Sequence, residues 1–144
     1  MYHVVDSNNY KNELSSDEYR ELRKSVGWGE LCKEQAQGCV DGADYVVKYT
    51  VKDRVVGAAR VFWDKGYIAY ISDVMVRPEY QGNGIGKGLV NKCIEYVDNQ
   101  LKPDWRIKIV LLASKNNEDF YTRMGFAIRP NEKYGPGMDM WRKY

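Results

Sequence analysis

The stretch QGNGIGKG at residues 81–88 constrains the possible folds more than any other part of the sequence. It holds four glycines in seven positions and separates a β-branched run, Tyr67 to Val76, from a helical pattern with apolar residues every four positions from Ile85 to Val97. The apolar run Arg106 to Ala113 follows and predicts a buried strand. A strand, a helix and a second strand in this order predict a right-handed crossover between parallel strands.

The rest of the chain predicts mostly antiparallel strands and short helices. Three consecutive strands between Tyr45 and Val76 are expected to form an antiparallel meander, with a hairpin turn at Lys52 and Asp53. Ser15 begins a helix with acidic residues in its first turn, and Glu30 to Gly38 predicts a second helix. A short helix at Asn116 to Met124 ends at Gly125. The expected strands, besides the two of the crossover, are Tyr2 to Val5, Tyr45 to Tyr49, Arg54 to Trp63, Phe126 to Arg129 and Met138 to Trp141. Together these elements predict an α/β protein.

The length and the net charge of the chain limit the classes of function that it can have. A chain of 144 residues predicts a single domain, 1–144, and a net charge of +2 argues against nucleic-acid binding through a basic surface. No apolar run is long enough for a membrane span, and the N-terminal residues lack an export signal, so we expect a cytoplasmic protein. Three cysteines without paired spacing and one histidine predict reduced thiols and no metal site.

The glycine-rich turn predicts an anion site, because main-chain N–H groups at a helix N-terminus point outward and glycine lets an anion approach closely. Lys87 adds a positive charge. The register G-x-G-x-x-G fails whether it is counted from Gly82 or from Gly84, which argues against a dinucleotide site. The P-loop pattern also fails, because Gly88 follows Lys87 where Ser or Thr is required. A flexible turn that only starts the helix is the alternative interpretation.

Two motifs give the sequence a resemblance to a known family. Gln81 to Gly86 has the spacing Q-x-x-G-x-G, and Tyr121 to Phe126 has the spacing Y-x-x-x-G-F. In this order and within this arrangement of strands and helices, they resemble the GCN5-related N-acetyltransferase (GNAT) family. The stretches Leu22 to Trp28 and Arg129 to Met138 look like those of a small bacterial subgroup whose acceptors are mostly unassigned. The resemblance implies a mixed, mostly antiparallel central sheet of six to seven strands with a splayed parallel central pair, flanked by about four helices.

The resemblance also implies acetyl-CoA as the donor, with no metal. Main-chain groups of Val74 and Val76 would bind the pantetheine arm, an amide near Val74 or Met75 would stabilise the oxyanion, and the turn would bind the pyrophosphate. The residues implied at the cofactor site are Val74, Met75, Val76, Gln81, Gly82, Asn83, Gly84, Ile85, Gly86, Lys87, Ala113, Ser114 and Phe120.

Tyr121 is the candidate general acid for the leaving thiolate, since a phenol of pKa ~10 gives a proton to a thiolate of pKa ~8.5 at modest cost. Packing beside Phe120 is the alternative role of its ring. Asp73 is the carboxylate candidate for the base, although strict alternation would turn it away from Tyr70 and Ser72 unless the strand has a bulge. A hydrogen-bonded acid inside the sheet is the alternative role of Asp73.

The acceptor is expected to be the primary amine of a small molecule. Its predicted pocket gathers Trp28, Tyr70, Ser72 and Tyr134, each of which has packing or surface exposure as its alternative role. Two other functions stay open: an acetyl-CoA-binding sensor or interaction module without catalysis, and a protein or peptide acetyltransferase. Members of the family often form dimers, so a homodimer is a further expectation, whereas nucleic acid and membrane partners are not expected.

Overall fold

The computed structural model of this chain describes residues 2–144. It contains two compact units, Met1–Val110 and Leu111–Tyr144, and each is described by itself. In chain order the regular elements are β1 (Tyr10–Lys11), α1 (Ser16–Ser25), α2 (Lys33–Asp41), β2 (Tyr45–Val51), β3 (Arg54–Trp63), β4 (Ile68–Val76), α3 (Ile85–Asp98), β5 (Lys108–Leu111) and α4 (Glu118–Thr122). Two short 3-10 helices cover Ser7–Asn9 and Pro78–Tyr80.

The strands form one five-stranded sheet in the order β1-β2-β3-β4-β5. The pairs from β1 to β4 are antiparallel, which confirms the predicted meander. Lys52 and Asp53 both have positive φ, 49° and 62°, as a two-residue hairpin turn between twisted strands requires. The helix α3 connects β4 to β5, its neighbour in the sheet, so a helix joins two adjacent strands as predicted around the glycine-rich turn.

The prediction of six to seven strands is wrong, because residues 2–144 contain five. The segment Tyr2 to Val5 is irregular, since its main chain bonds to side chains: the N–H of His3 donates to Asn83 Oδ1. Phe126 N–H donates to Tyr121 O and continues the helix end, so no strand starts at Phe126. The segment Met138 to Trp141 has its large side chains 80–90% exposed and pairs with no strand of the described chain.

The predicted strand Arg106 to Ala113 is shorter and less buried than its sequence suggests. β5 has four residues and lies at the edge of the sheet. Ile109, Val110 and Leu111 are partly exposed, and Leu112 is exposed. An edge strand lacks a neighbour on one side, and its apolar side chains therefore stay partly in contact with solvent.

Local sequence signals explain the helix ends. Ser15 Oγ accepts from Glu18 N–H and the Glu18 carboxylate accepts from Ser15 N–H, a capping box that starts α1. Helix α1 ends in a Schellman motif, with Gly27 at φ 77° and Trp28 N–H donating to Arg23 O at 2.9 Å. Helix α2 starts three residues later than predicted, because Cys32 has an extended backbone, and it ends at Asp41 before Gly42.

The two faces of the sheet carry different helices. Adjacent strand residues point to opposite faces, and on β3 Ala58 packs in a core with Leu22 of α1 and Ala36 of α2. Gly57, its neighbour, faces α3, where an added Cβ would lie 3.0 Å from Met75 O and 3.1 Å from Leu89 Cδ1. Glycine at this position lets α3, and with it the glycine-rich turn, approach the sheet closely.

Gly57→Val should therefore destabilise the protein by about 1–3 kcal/mol, because the extra atoms overpack the contact between β3 and α3. Urea unfolding measures the free energy. Gly38→Val is the control: its site in α2 has open space, and valine has a higher helix propensity than glycine, so stability should stay the same or rise slightly. Equal losses of stability in both variants would contradict the close approach.

Two of the three cysteines, Cys32 and Cys93, should differ sharply in reactivity. Cys32 is exposed, whereas Cys93 is fully buried in α3, and burial raises the pKa of its thiol to about 12. Since the thiolate is the reactive form, iodoacetamide at pH 8 should alkylate Cys32 readily and Cys93 only after unfolding. Mass spectrometry with and without urea measures both rates. Similar rates in the native protein would show that the α3 core opens frequently.

Candidate functional site

The glycine-rich turn presents main-chain donors at the start of α3. Gly82 and Gly84 have φ values of 81° and 89°, a left-handed conformation that favours glycine. Gly84 is the N-cap of α3 without a side-chain cap, and the first turn of the helix closes with Gly88 N–H donating to Gly84 O at 3.1 Å. The N–H groups of residues 85–87 precede that bond and have no acceptor within the helix. This geometry suits an anion.

The polar side chains of the turn bind the main chain. Gln81 Nε2 donates to Val76 O at 2.9 Å, and Asn83 Nδ2 donates to Tyr80 O at 3.0 Å. The other side of Asn83 is occupied as well, because its Oδ1 accepts from His3 N–H. Gln81 and Asn83 therefore hold the turn in shape, and no sequence pattern indicated that His3 would contribute to this.

The end of β4 has main-chain groups on its outer edge. Arg77 N–H donates to Val56 O of β3 at 2.8 Å, so by strand alternation the main-chain groups of Val76 and Val74 point away from β3, and those of Met75 point toward it. The neighbour β5 joins near the beginning of β4, where Lys108 N–H donates to Tyr67 O at 2.7 Å. With four residues, β5 is too short to run alongside all of β4.

A β-bulge separates this end of β4 from its beginning. The register pairs Arg60 with Ser72 but Ala58 with Met75, so Asp73 and Val74 lie opposite the single residue Ala59. Asp73 has a φ of 57°. Asp73 and Ser72 can lie on the same face of the strand only if a bulge separates them from Met75, and the structure contains this bulge.

Asp73 takes part in a buried polar cluster, which we define as Tyr19, Arg60, Tyr70, Ser72 and Asp73. Tyr19 Oη donates to Asp73 Oδ2 at 2.5 Å, and Arg60 Nη2 donates to the same oxygen. Arg60 Nη2 also lies 3.4 Å from Ser72 Oγ. Paired strand residues share a face, so Tyr70, which pairs with Phe62, lies on the face that carries Arg60.

Burial and charge in the polar cluster raise the pKa of both tyrosines. For Tyr19, burial is the largest cause, followed by the hydrogen bond to Asp73 and the charge of Asp73. For Tyr70, burial again comes first and the charge of Asp73 second. Both phenols therefore stay protonated at neutral pH, and Tyr19 stays a donor to the carboxylate.

The sequence interpretation missed Tyr19 and Arg60. Tyr19 recurs with Leu22 and Val26 at helical spacing and looks like a core residue, which it also is, at 1% exposure. Arg60 had a detectable signal: it is the one charged residue between Val55 and Trp63, in a strand that is otherwise apolar. A charge in such a run requires a buried partner.

Trp28 lies at the end of α1, on the side of the sheet that carries the polar cluster. Its ring is partly buried and packs on the core that contains Tyr19, and the Arg23 guanidinium lies 5.7 Å from the ring centre. As the residue after Gly27 in the Schellman motif, Trp28 makes the apolar contact that usually accompanies this helix end. Packing thus accounts for the indole, and its role in the acceptor pocket stays a prediction.

In the second unit, Tyr121 is buried in α4, with 9% exposure. Its ring packs edge-on against Phe120 and Phe126, at centroid distances of 4.9 and 5.8 Å. Ala113 and Ser114 are exposed, and Ser114 O accepts from Asn117 N–H before the helix. The motif Y-x-x-x-G-F therefore forms a compact turn around Gly125, at φ 98°.

Tyr134 lies in a tight turn of the second unit and is 56% exposed. Asn131 braces this turn, since its Oδ1 accepts from Tyr134 N–H at 3.1 Å and its N–H donates to Tyr134 O at 2.9 Å. The Arg129 guanidinium lies 5.0 Å from the centre of the Tyr134 ring. The contact of Tyr134 with the acceptor stays a prediction.

Within residues 2–144, no group of three or more His, Cys, Asp or Glu side chains is arranged to hold a metal ion. None of the helices described is long and apolar enough to cross a membrane.

Comparison with known proteins agrees with this geometry. The acetyltransferase (GNAT) domain family matches residues 10–142. An uncharacterized N-acetyltransferase, ycf52, of Porphyra purpurea is 30% identical over 127 residues, which cover 85% of this chain and 70% of that protein. The chloroplastic GCN5-related N-acetyltransferase 2 of Arabidopsis thaliana is 40% identical over 77 residues, 54% of this chain and 28% of that protein.

A solved structure has the same fold. It is a probable acetyltransferase of unknown function from meticillin-resistant Staphylococcus aureus, which aligns with a TM-score of 0.80 and 24% identity over 94% of this chain and 98% of that chain. The family match over nearly the whole chain, the relatives named N-acetyltransferase and the common α/β fold lead to one conclusion: this protein belongs to the GNAT family and is an acyltransferase of the acetyltransferase type.

Proposed function

We propose that the protein transfers an acetyl group from acetyl-CoA to the primary amine of a small molecule, by direct attack while both substrates are bound. The observation that carries this proposal is the start of α3, where Gly82 and Gly84 are left-handed and the N–H groups of residues 85–87 have no acceptor in the helix. Such donors fit the pyrophosphate of coenzyme A. GNAT family membership makes acetyl-CoA the expected donor.

The outer edge of β4 fits the rest of the donor. Main-chain groups of Val74 and Val76 point away from β3, and an extended amide-containing arm bonds to such an edge as a strand would. Since the Met75 main chain faces β3, Val74 is the better candidate for the amide that stabilises the oxyanion. Ala113, Ser114 and Phe120 stay proposed contacts of the cofactor.

The reaction requires protons to move at the nitrogen and at the sulfur. Acetyl-CoA would supply an activated acyl group: a C–N bond forms and the C–S bond breaks. An amine that binds as a cation loses one proton before it attacks and a second as the amide forms, while the sulfur takes one proton and the other passes to solvent. We propose Tyr121 as the residue whose hydroxyl gives the proton to the sulfur. Asp73 is our proposed acceptor of the nitrogen's proton, directly or through a water molecule.

The acceptor pocket is proposed on the face of the sheet that carries the polar cluster. Tyr70 and Ser72 are partly buried there, next to the carboxylate of Asp73, so a carboxylate and an aromatic ring face the same space. This combination suits an amine, which is cationic before it reacts. Trp28 and, in the second unit, Tyr134 stay proposed contacts of the acceptor.

Tyr121→Phe should lower kcat by about 10²–10⁴-fold and change the Kd of acetyl-CoA by less than about threefold, because the phenol acts on the leaving group while the ring keeps its packing. A thiol-release assay with a panel of amines measures turnover, and calorimetry measures acetyl-CoA binding. Tyr67→Phe, which removes the hydroxyl of a residue that is 54% exposed, is the control and should keep kcat within about threefold, since general acid–base catalysis would lose no proton donor. Unchanged turnover in Tyr121→Phe would remove the assignment, and binding without turnover across the panel would favour the sensor.

Gly82→Ala should weaken coenzyme A binding by at least about tenfold, because a Cβ would stand where the anion approaches the main chain. Gly27→Ala is the matched control: both glycines have φ near 80°, and neither Cβ would meet an atom within 4 Å. Both variants should thus lose a similar stability, about 1–2 kcal/mol. Equal coenzyme A affinities in the two variants would argue against the anion site.

A further inference from the structure

Arg60 is a buried charge that the proposed reaction does not use. It is 6% exposed, and its guanidinium lies between the rings of Tyr19, at 4.8 Å, and Phe62, at 4.9 Å. Its Nη1 donates to Cys39 O at the end of α2, at 2.6 Å. Burying a guanidinium is costly unless it is paired, and simple packing of β3 against the helices would be served better by an apolar residue. The position of this charge therefore calls for a function.

The backbone conformation of Asp73 is a second sign that this cluster has a function. A left-handed conformation is unfavourable for a residue with a side chain, although Asp tolerates it better than most. The bulge that imposes this conformation brings the Asp73 carboxylate to Arg60 and Tyr19. Strained conformations of this kind are concentrated at functional sites.

The two oxygens of the Asp73 carboxylate have different environments. Both protein donors, the Tyr19 hydroxyl and the Arg60 guanidinium, bind Oδ2. Among residues 2–144, no donor forms a hydrogen bond with Oδ1. The Asp73 side chain is 18% exposed, whereas that of Arg60 is 7% exposed. A carboxylate accepts about four hydrogen bonds, so Oδ1 has capacity for a ligand.

We propose that Tyr19 and Arg60 are positioning residues, which hold the Asp73 carboxylate by Oδ2 so that Oδ1 accepts a hydrogen bond from the amine of the acceptor. The inference rests on the proposed function and deepens it, since it assigns the amine a defined contact. The acceptor class is an amine that enters as a cation, because a charged carboxylate binds an ammonium group most strongly. The other charged or titratable groups that face this carboxylate are Arg60 from β3, Tyr19 from α1 and Tyr70 from β4.

Tyr19→Phe tests the inference with little risk to folding, because it keeps the ring and removes only the hydroxyl. Loss of this donor changes the hydrogen bonding of Asp73 Oδ2, so the carbon-13 chemical shift of the Asp73 carboxyl group should change. Carbon-13 NMR of labelled aspartate carboxyl groups, assigned through Asp73→Asn, measures this shift. Tyr45→Phe, at a partly buried tyrosine stacked on Tyr96, is the control and should leave the Asp73 resonance unchanged.

Kinetics supply the second readout. Tyr19→Phe and Asp73→Asn should each raise the KM of the amine by about tenfold or more, with the Kd of acetyl-CoA unchanged. Arg60→Lys should keep more of the amine affinity than Arg60→Gln, because it preserves the charge. An unchanged Asp73 carboxyl resonance in Tyr19→Phe, or an amine KM equal to that of Tyr45→Phe, would overturn the inference. The proposed function fails in a different way, when the unmodified protein releases no thiol with any amine.

Discussion

Several elements of the first unit contact one buried guanidinium, that of Arg60. Arg60 of β3 bonds to the last part of α2 through Cys39 O, to β4 through Asp73 and Ser72, and packs on the Tyr19 ring of α1. A buried charge without partners would cost several kcal/mol, so the two helices and the bulged strand must each supply a group at the right place. The bulge in β4 is thus part of the solution to an electrostatic requirement that β3 creates.

The same bulge divides β4 into two functional parts. Before it, Tyr70 and Ser72 share the helix-covered face with Arg60, where an acceptor amine is proposed to bind. After it, the main-chain groups of Val74 and Val76 point to the outer edge, where the donor is proposed to bind. In this proposal, side chains recognise the acceptor and main-chain groups recognise the donor. Main-chain recognition also explains why the donor motif is readable as glycine spacing, while the acceptor has no comparable motif.

Much of the fold could be predicted because its signals are local. The Lys52 and Asp53 hairpin, the capping box at Ser15 and the four-residue repeat of α3 each depend on residues close in sequence, and the structure contains all three. The last two predicted strands, at residues 126–129 and 138–141, were expected from their apolar pattern alone. A strand forms only where a partner strand supplies its hydrogen bonds. Residues 126–129 and 138–141 have no such partner within the described chain, so the pattern was misleading there. β5 was predicted correctly as a strand, but its burial depends on its place at the sheet edge.

By itself, the sequence determined the family, the position of the glycine-rich turn and the residue types at the proposed donor site, because a helix N-terminus with flanking glycines is a local structure with a local chemical consequence. It named Asp73 and stated that a bulge was needed, but it could not show whether the bulge exists, since bulges depend on the pairing of one strand with another. Only the tertiary structure decided that Arg60 and Tyr19 hold this carboxylate. These residues are 13 and 54 positions from Asp73 in sequence, and the contacts between them arise from packing that no local pattern specifies.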